Sequence, residues 1–182
     1  MTLFHTASLS DFNCFFAALD YMAIWRGQPR FPSSWDLIRK NLYRRYLRPD
    51  QLDAALAQMR DIQAYFATLG RDFVDWSQHG PDSLTVLNPS RPTMADIFAV
   101  FFEKFELAVA EAKYVANYEA EHHLPPDNSC LKIVIAVPII PGEVTRSLAE
   151  YDELADDAIP FWARLPPPNQ KRAARESKRS GE

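Results

Sequence analysis

The strongest signal along the chain is apolar positions recurring at alternating steps of three and four. Such steps return side chains to one face of an α-helix. Leu9, Phe12, Phe16, Leu19 and Ala23 follow them, and Phe15 and Met22 widen the stripe. This predicts a first helix over 9–26, capped by Ser8 or Ser10 and closed by Gly27. Trp35, Ile38, Leu42 and Tyr46 predict a second helix over 34–47, with Pro49 and Asp50 restarting the chain. Leu52, Ala55, Met59, Ile62, Phe66 and Leu69 form a heptad seam and predict a third helix over 50–69. The largest seam is Met94, Phe98, Phe101, Phe105, Ala108, Ala112 and Val115, with Phe102, Val109 and Ala116 beside it. It predicts a fourth helix over 94–122, capped by Thr93 and stopped before Pro125 and Pro126.

Three stretches break this rhythm. Residues 71–92 carry Asp72, Asp75, Gly80, Pro81, Asp82, Asn88, Pro89 and Pro92, all turn formers, with 84–87 able to form a short strand. Ile133, Val134, Ile135, Ala136 and Val137 form an unbroken apolar run, which predicts a buried strand over 131–140 limited by Pro138. Its expected partner is 84–87 or 2–5. Residues 143–155 predict a last, acidic helix. From Pro166 the chain turns Pro-rich and then basic, too polar to bury a core of its own. The predicted fold is mainly α with a minor β part: a bundle-like domain of four to five helices over 1–165, with a small sheet of one to three short strands. A tail over 166–182 follows it.

Composition narrows the function classes. At 182 residues, 47% hydrophobic and 24% charged, the chain reads as one folded domain rather than a disordered or fibrous one. With five Gly, and neither G-x-G-x-x-G nor G-x-x-x-x-G-K-[ST], it gives no support to a nucleotide cofactor, and none is expected. Cys14 and Cys130 are its two cysteines, far apart and each next to an apolar run, which fits reduced, buried thiols. No apolar run approaches the roughly 18 residues a membrane span needs, and no leader pattern opens the chain. A soluble cytoplasmic protein without membrane contact is expected.

The net charge of -4 conceals a division. Residues 26–48 carry seven Lys/Arg against one Asp, and 164–182 carry six against two Glu. Residues 49–163 reverse this, with seven Lys/Arg against nineteen Asp/Glu. Two surfaces follow as candidates. Arg39, Lys40, Arg44 and Arg45, with Tyr43 and Tyr46 between them, offer phosphate contacts and stacking faces to a nucleic acid. Glu143, Glu150, Asp152, Glu153, Asp156 and Asp157 offer carboxylates to a basic protein, such as a nuclease or nucleoprotein.

Two patterns carry candidate chemistry. Asp11-Phe12-Asn13-Cys14-Phe15-Phe16-Ala17-Ala18-Leu19 resembles the nucleophile signature D-G-N-C-x-F-x-A-L of ovarian-tumour-type cysteine proteases, with Phe12 where that family has Gly. The resemblance implies a papain-like cysteine hydrolase with Cys14 as nucleophile beside Asp11 and Asn13; the family's late His followed by an aromatic residue is not present, and His122 is the alternative base. A thiol in the first turn of a helix is also favoured as thiolate by the positive helix end. Glu119-x-x-His122 has the spacing of a metal-ligand pair on one helix, but no second such pair occurs.

With no complete catalytic set, the expected function is a small acidic protein-binding module. Its role would be that of an inhibitor or antagonist, like an immunity protein, an antitoxin or an anti-defence protein. Cysteine hydrolysis and nucleic-acid binding through 34–47 are the alternatives. Cys14→Ala separates the first two: an inhibitor keeps its effect in cells, whereas a hydrolase loses all of it with the fold intact.

Overall fold

The computed structural model describes residues 15–16, 18–19, 35–43, 45–73, 90–125, 129–132 and 148–152, and these are mostly helical. Four α-helical segments are labelled here: α1 (Leu52–Ala67), α2 (Met94–Ile97), α3 (Ala99–Glu121) and α4 (Leu148–Asp152). Two short strands, β1 (Tyr46–Leu47) and β2 (Leu131–Lys132), pair antiparallel with Tyr46 opposite Lys132 and Leu47 opposite Leu131.

The apolar seams become the core. Leu52, Ala55, Met59, Ile62 and Phe66 of α1 are all buried, and the helix packs on α2 and α3. Met94, Ile97 and Phe98 at the start of the long seam, then Phe101, Phe102, Phe105, Ala108, Val109 and Ala112 of α3, close over it. From the first predicted helix, Phe15, Phe16, Ala18 and Leu19 are helical and buried in the same cluster. Phe15 is wholly enclosed. Its ring lies 4.3 Å from that of Phe101, 5.3 Å from Phe98, 5.7 Å from Phe102 and 5.8 Å from Phe66. The edge-on packing against Phe98 and Phe102, at 87° and 80°, sets positive ring edges against negative faces.

Three expectations change. The second helix, expected over 34–47, is a π-helical segment Leu37–Leu42 followed by β1. Trp35, Ile38 and Leu42 are buried as the spacing predicted, and the backbone N–H of Leu37 donates to Gln58 Oε1 of α1 at 3.1 Å. Arg48, which precedes Pro49, takes an extended conformation at φ -80° and ψ 158°. Of the strand expected over 131–140, Leu131 and Lys132 are described and pair with β1; its expected partners, 84–87 and 2–5, lie outside the described residues. The fourth helix is two, because Phe98 leaves helical geometry at φ -100° and ψ 16° between α2 and α3. The acidic helix over 143–155 is described as α4, and residues 74–89, 133–147 and 153–182 lie outside the described part.

The start of α2 is fixed by a reciprocal cap. The backbone N–H of Asp96 donates to Thr93 Oγ1 at 3.2 Å, and the Thr93 N–H donates to Asp96 Oδ2 at 2.9 Å. The Thr93 hydroxyl donates to the same carboxylate at 2.6 Å. A bridge between Gly70 and Thr93, with Met94 N–H donating to the Leu69 carbonyl at 3.0 Å, ties this cap to the end of α1. The hydroxyl and then the backbone bond hold the Asp96 carboxyl below the usual carboxylate range. A depressed folded value adds stability above the unfolded value, and that stability is lost as pH falls through the folded one. Thr93→Ala should therefore lower stability by about 1 kcal/mol in urea titrations at neutral pH. The difference from the wild-type chain should shrink as pH drops below about 4.

Candidate functional site

The described residues bring one basic and one acidic candidate segment together at the end of β1. Tyr46 and Arg48 stand on the basic stretch, and Asp152 ends α4, 106 positions away. The Tyr46 hydroxyl donates to Asp152 Oδ1 at 2.7 Å, and Arg48 Nη2 donates to the Tyr46 hydroxyl at 3.2 Å. The same nitrogen lies 3.6 Å from Asp152 Oδ1, and the guanidinium sits 5.7 Å from the centre of the Tyr46 ring. Local structure makes the cluster. Pro49 keeps Arg48 extended, and pairing with β2 fixes Tyr46 in a buried position with its hydroxyl at the surface.

The electrostatics keep this cluster in one protonation state at physiological pH. Burial, and next the bond to Asp152, hold the Tyr46 phenol above its ordinary value of 10.0. A phenol so raised is a neutral donor at physiological pH, neither base nor nucleophile. The Arg48 guanidinium is held still more firmly in its charged form, first by Tyr46 and then by Asp152. The arrangement is a clamp: the Tyr46 hydroxyl donates to Asp152, and Arg48, which donates to that hydroxyl, lies at ion-pair distance from the same carboxylate, so α4 is fastened to β1.

The other candidates are distributed as follows. Lys40 pairs with Asp36 at 2.7 Å along one helical turn, while Arg39 and Arg45 are half-buried. Glu119 of α3 is buried, whereas His122 is exposed, stacks on the Tyr118 ring at 4.1 Å and places Nδ1 2.9 Å from the Tyr118 carbonyl. The Glu119–His122 spacing thus does not gather a ligand set, and among the described residues no group of three His, Cys, Asp or Glu side chains converges. Cys14, Asp11, Asn13, Arg44, Glu143, Glu153, Asp156 and Asp157 lie outside the described residues, as does the side chain of Glu150. No described helix is long and apolar enough to cross a membrane.

Arg48 is the member that sequence reasoning passed over. It read as one more cation of the 26–48 stretch, although its position before a proline marked it as extended. The clamp yields a direct test. Tyr46→Phe removes the donor to Asp152, and amides of 148–152 should then exchange with solvent faster, while those of α1 keep their protection. In the wild-type chain the raised phenol stabilises the clamp below its unfolded value. That contribution is lost as pH rises through the folded value, so the same amides should open above about pH 10.

Compared with known proteins, the chain matches no family model, no curated protein and no solved structure, so its function is read from its own residues.

Proposed function

We propose that this protein is a small acidic protein-binding module that antagonises a basic partner, in the manner of an immunity protein or an antitoxin. The observation that carries this reading is the imbalance of charge left over on its two long helices. Two of the three cations there pair internally: Arg60 of α1 donates to Glu106 of α3 at 2.8 Å, and Lys113 of α3 pairs with Asp53 of α1, while Lys104 of α3 is half-buried. Asp61, Glu103 and Glu121 stand exposed and take part in no ion pair among the described residues. Exposed bridges of the first kind contribute little to stability, on the order of 0–1 kcal/mol each. Each bridge cancels one charge of either sign, so the exposed Asp61, Glu103 and Glu121 remain as uncompensated negative charge on the two helices. Such charge attracts cationic surfaces and speeds their encounter.

Around this face we place the wider expectation: a bundle-like domain of four to five helices with a small sheet, acting in the cytoplasm on a basic nuclease or nucleoprotein. The basic stretch supports a nucleic-acid ligand less well, since Lys40 and Arg48 are turned onto Asp36, Tyr46 and Asp152 of the same chain.

The test is capture of partners from the native host on the immobilised full chain, beside an Asp61→Lys/Glu103→Lys/Glu121→Lys variant. The reading expects a basic protein at near-stoichiometric yield from the wild-type chain. That protein should be released by raised salt, lost from the variant, and lower in its own activity when bound. Equal capture by the variant, or no partner at all, would sink it.

A further inference from the structure

The two sides of the Tyr46–Arg48–Asp152 clamp are held in place very differently. Its donor side is fixed without help from α4. Tyr46 is 6% exposed, and its backbone stands opposite Lys132 in the β1–β2 pair. Arg48 is extended ahead of Pro49, and its backbone N–H donates to Gln51 Oε1 at 3.0 Å, just before α1 begins. Arg48 Nη2 donates to the Tyr46 hydroxyl at 3.2 Å, so the two side chains also hold each other. The acceptor side has less support. Asp152 ends α4, a helix of five residues whose described side chains are half-buried or exposed. Among the described residues, none of α4 belongs to the apolar core or packs on it. The side chains of Arg48 and Asp152 are 57% and 50% exposed, so solutes reach the contact.

We propose that Tyr46 and Arg48 form a carboxylate-binding site, filled here by the chain's own Asp152, which an acidic peptide segment enters by displacing α4. The ligand chemistry is on display in Asp152 itself. Its Oδ1 lies 2.7 Å from the Tyr46 hydroxyl and 3.6 Å from Arg48 Nη2. The hydroxyl supplies a hydrogen bond and the guanidinium a positive charge at ion-pair distance. Together they select an anionic oxygen over a neutral one. Donors already fixed by β2 and by Gln51 lose little freedom when a ligand arrives, which favours binding. Charge complementarity extends the ligand from one carboxylate to an acidic segment. The site closes the stretch 26–48, which carries seven Lys/Arg against one Asp. The internal occupant comes from such a segment, with Glu150 before Asp152 and Glu153, Asp156 and Asp157 after it. Its tether gives α4 a high effective concentration, so a free ligand competes at a disadvantage until α4 is removed. This site is distinct from the acidic face of α1 and α3, and neither reading depends on the other.

The probe is a fluorescently labelled peptide with the sequence of residues 148–157, added to the full chain and followed by anisotropy. Asp152→Ala removes the internal occupant, and the peptide should bind this variant roughly tenfold more tightly than the wild-type chain. Adding Arg48→Gln or Tyr46→Phe to Asp152→Ala should weaken binding by roughly tenfold. Arg48 and Asp152 are at least half exposed, so circular dichroism should show unchanged helix content in their variants. A peptide with Asn and Gln in place of its acidic residues should not bind. On the wild-type chain, excess acidic peptide should speed amide exchange at 148–152 while α1 keeps its protection. Equal affinity for the wild-type and Asp152→Ala chains would overturn the proposal. So would binding that survives Arg48→Gln, or faster exchange that fails to appear at saturating peptide. Displacement of the peptide by inorganic phosphate as readily as by unlabelled peptide would make this a general anion site and refute the acidic-segment assignment.

Discussion

Enclosure of the Phe15 ring is the constraint on which the rest of the described structure depends. Its neighbours come from α1 through Phe66, from the bend through Phe98 and from α3 through Phe101 and Phe102. One side chain thus holds the N-terminal helical residues against three other parts of the chain. Removing a ring from such a position costs about 3–5 kcal/mol, a large share of the stability of a domain this size. No exposed charge pair described here approaches that value. The break at Phe98 lies within the same aromatic cluster. A continuous helix would keep one heading, whereas the break lets Met94, Ile97 and Phe98 bury beside α1 before α3 sets off along it.

Polar contacts contribute less to stability and set orientation. The Thr93–Asp96 cap decides where α2 begins, and the bonds from Leu69 and Thr93 fasten that start to the end of α1. The Tyr46–Arg48–Asp152 clamp decides where α4 sits. It also links the two halves of the charge division: a member of the basic stretch is neutralised by a member of the acidic one. The arithmetic of separate basic and acidic surfaces therefore overstates both, because part of each is spent on the other within one molecule. On the long helices Asp61, Glu103 and Glu121 remain exposed, and Lys104 half-buried.

Legibility in the sequence varied with the range of the interaction. The buried faces of α1 and α3 were readable residue by residue, since Leu52, Ala55, Met59, Ile62 and Phe66, and Phe101, Phe105, Ala108 and Ala112, lie inside as their spacing requires. The Thr93 cap was readable too, being a contact over three residues. The binding residues of the basic stretch were read as one helical face, but Tyr46 leaves that face because the chain becomes a strand there.

The sequence by itself determined which faces are apolar, where helices can start and stop, and that the charge is unevenly shared. These are local properties, set by the 3.6-residue period, by capping groups and by proline. Only the tertiary structure decided that Tyr46–Leu47 pairs with Leu131–Lys132, that the long seam bends at Phe98, and that Asp152 accepts from Tyr46 across 106 positions. Each of these depends on groups far apart in the chain, and spacing carries no information about which distant backbone edge or donor a residue will meet.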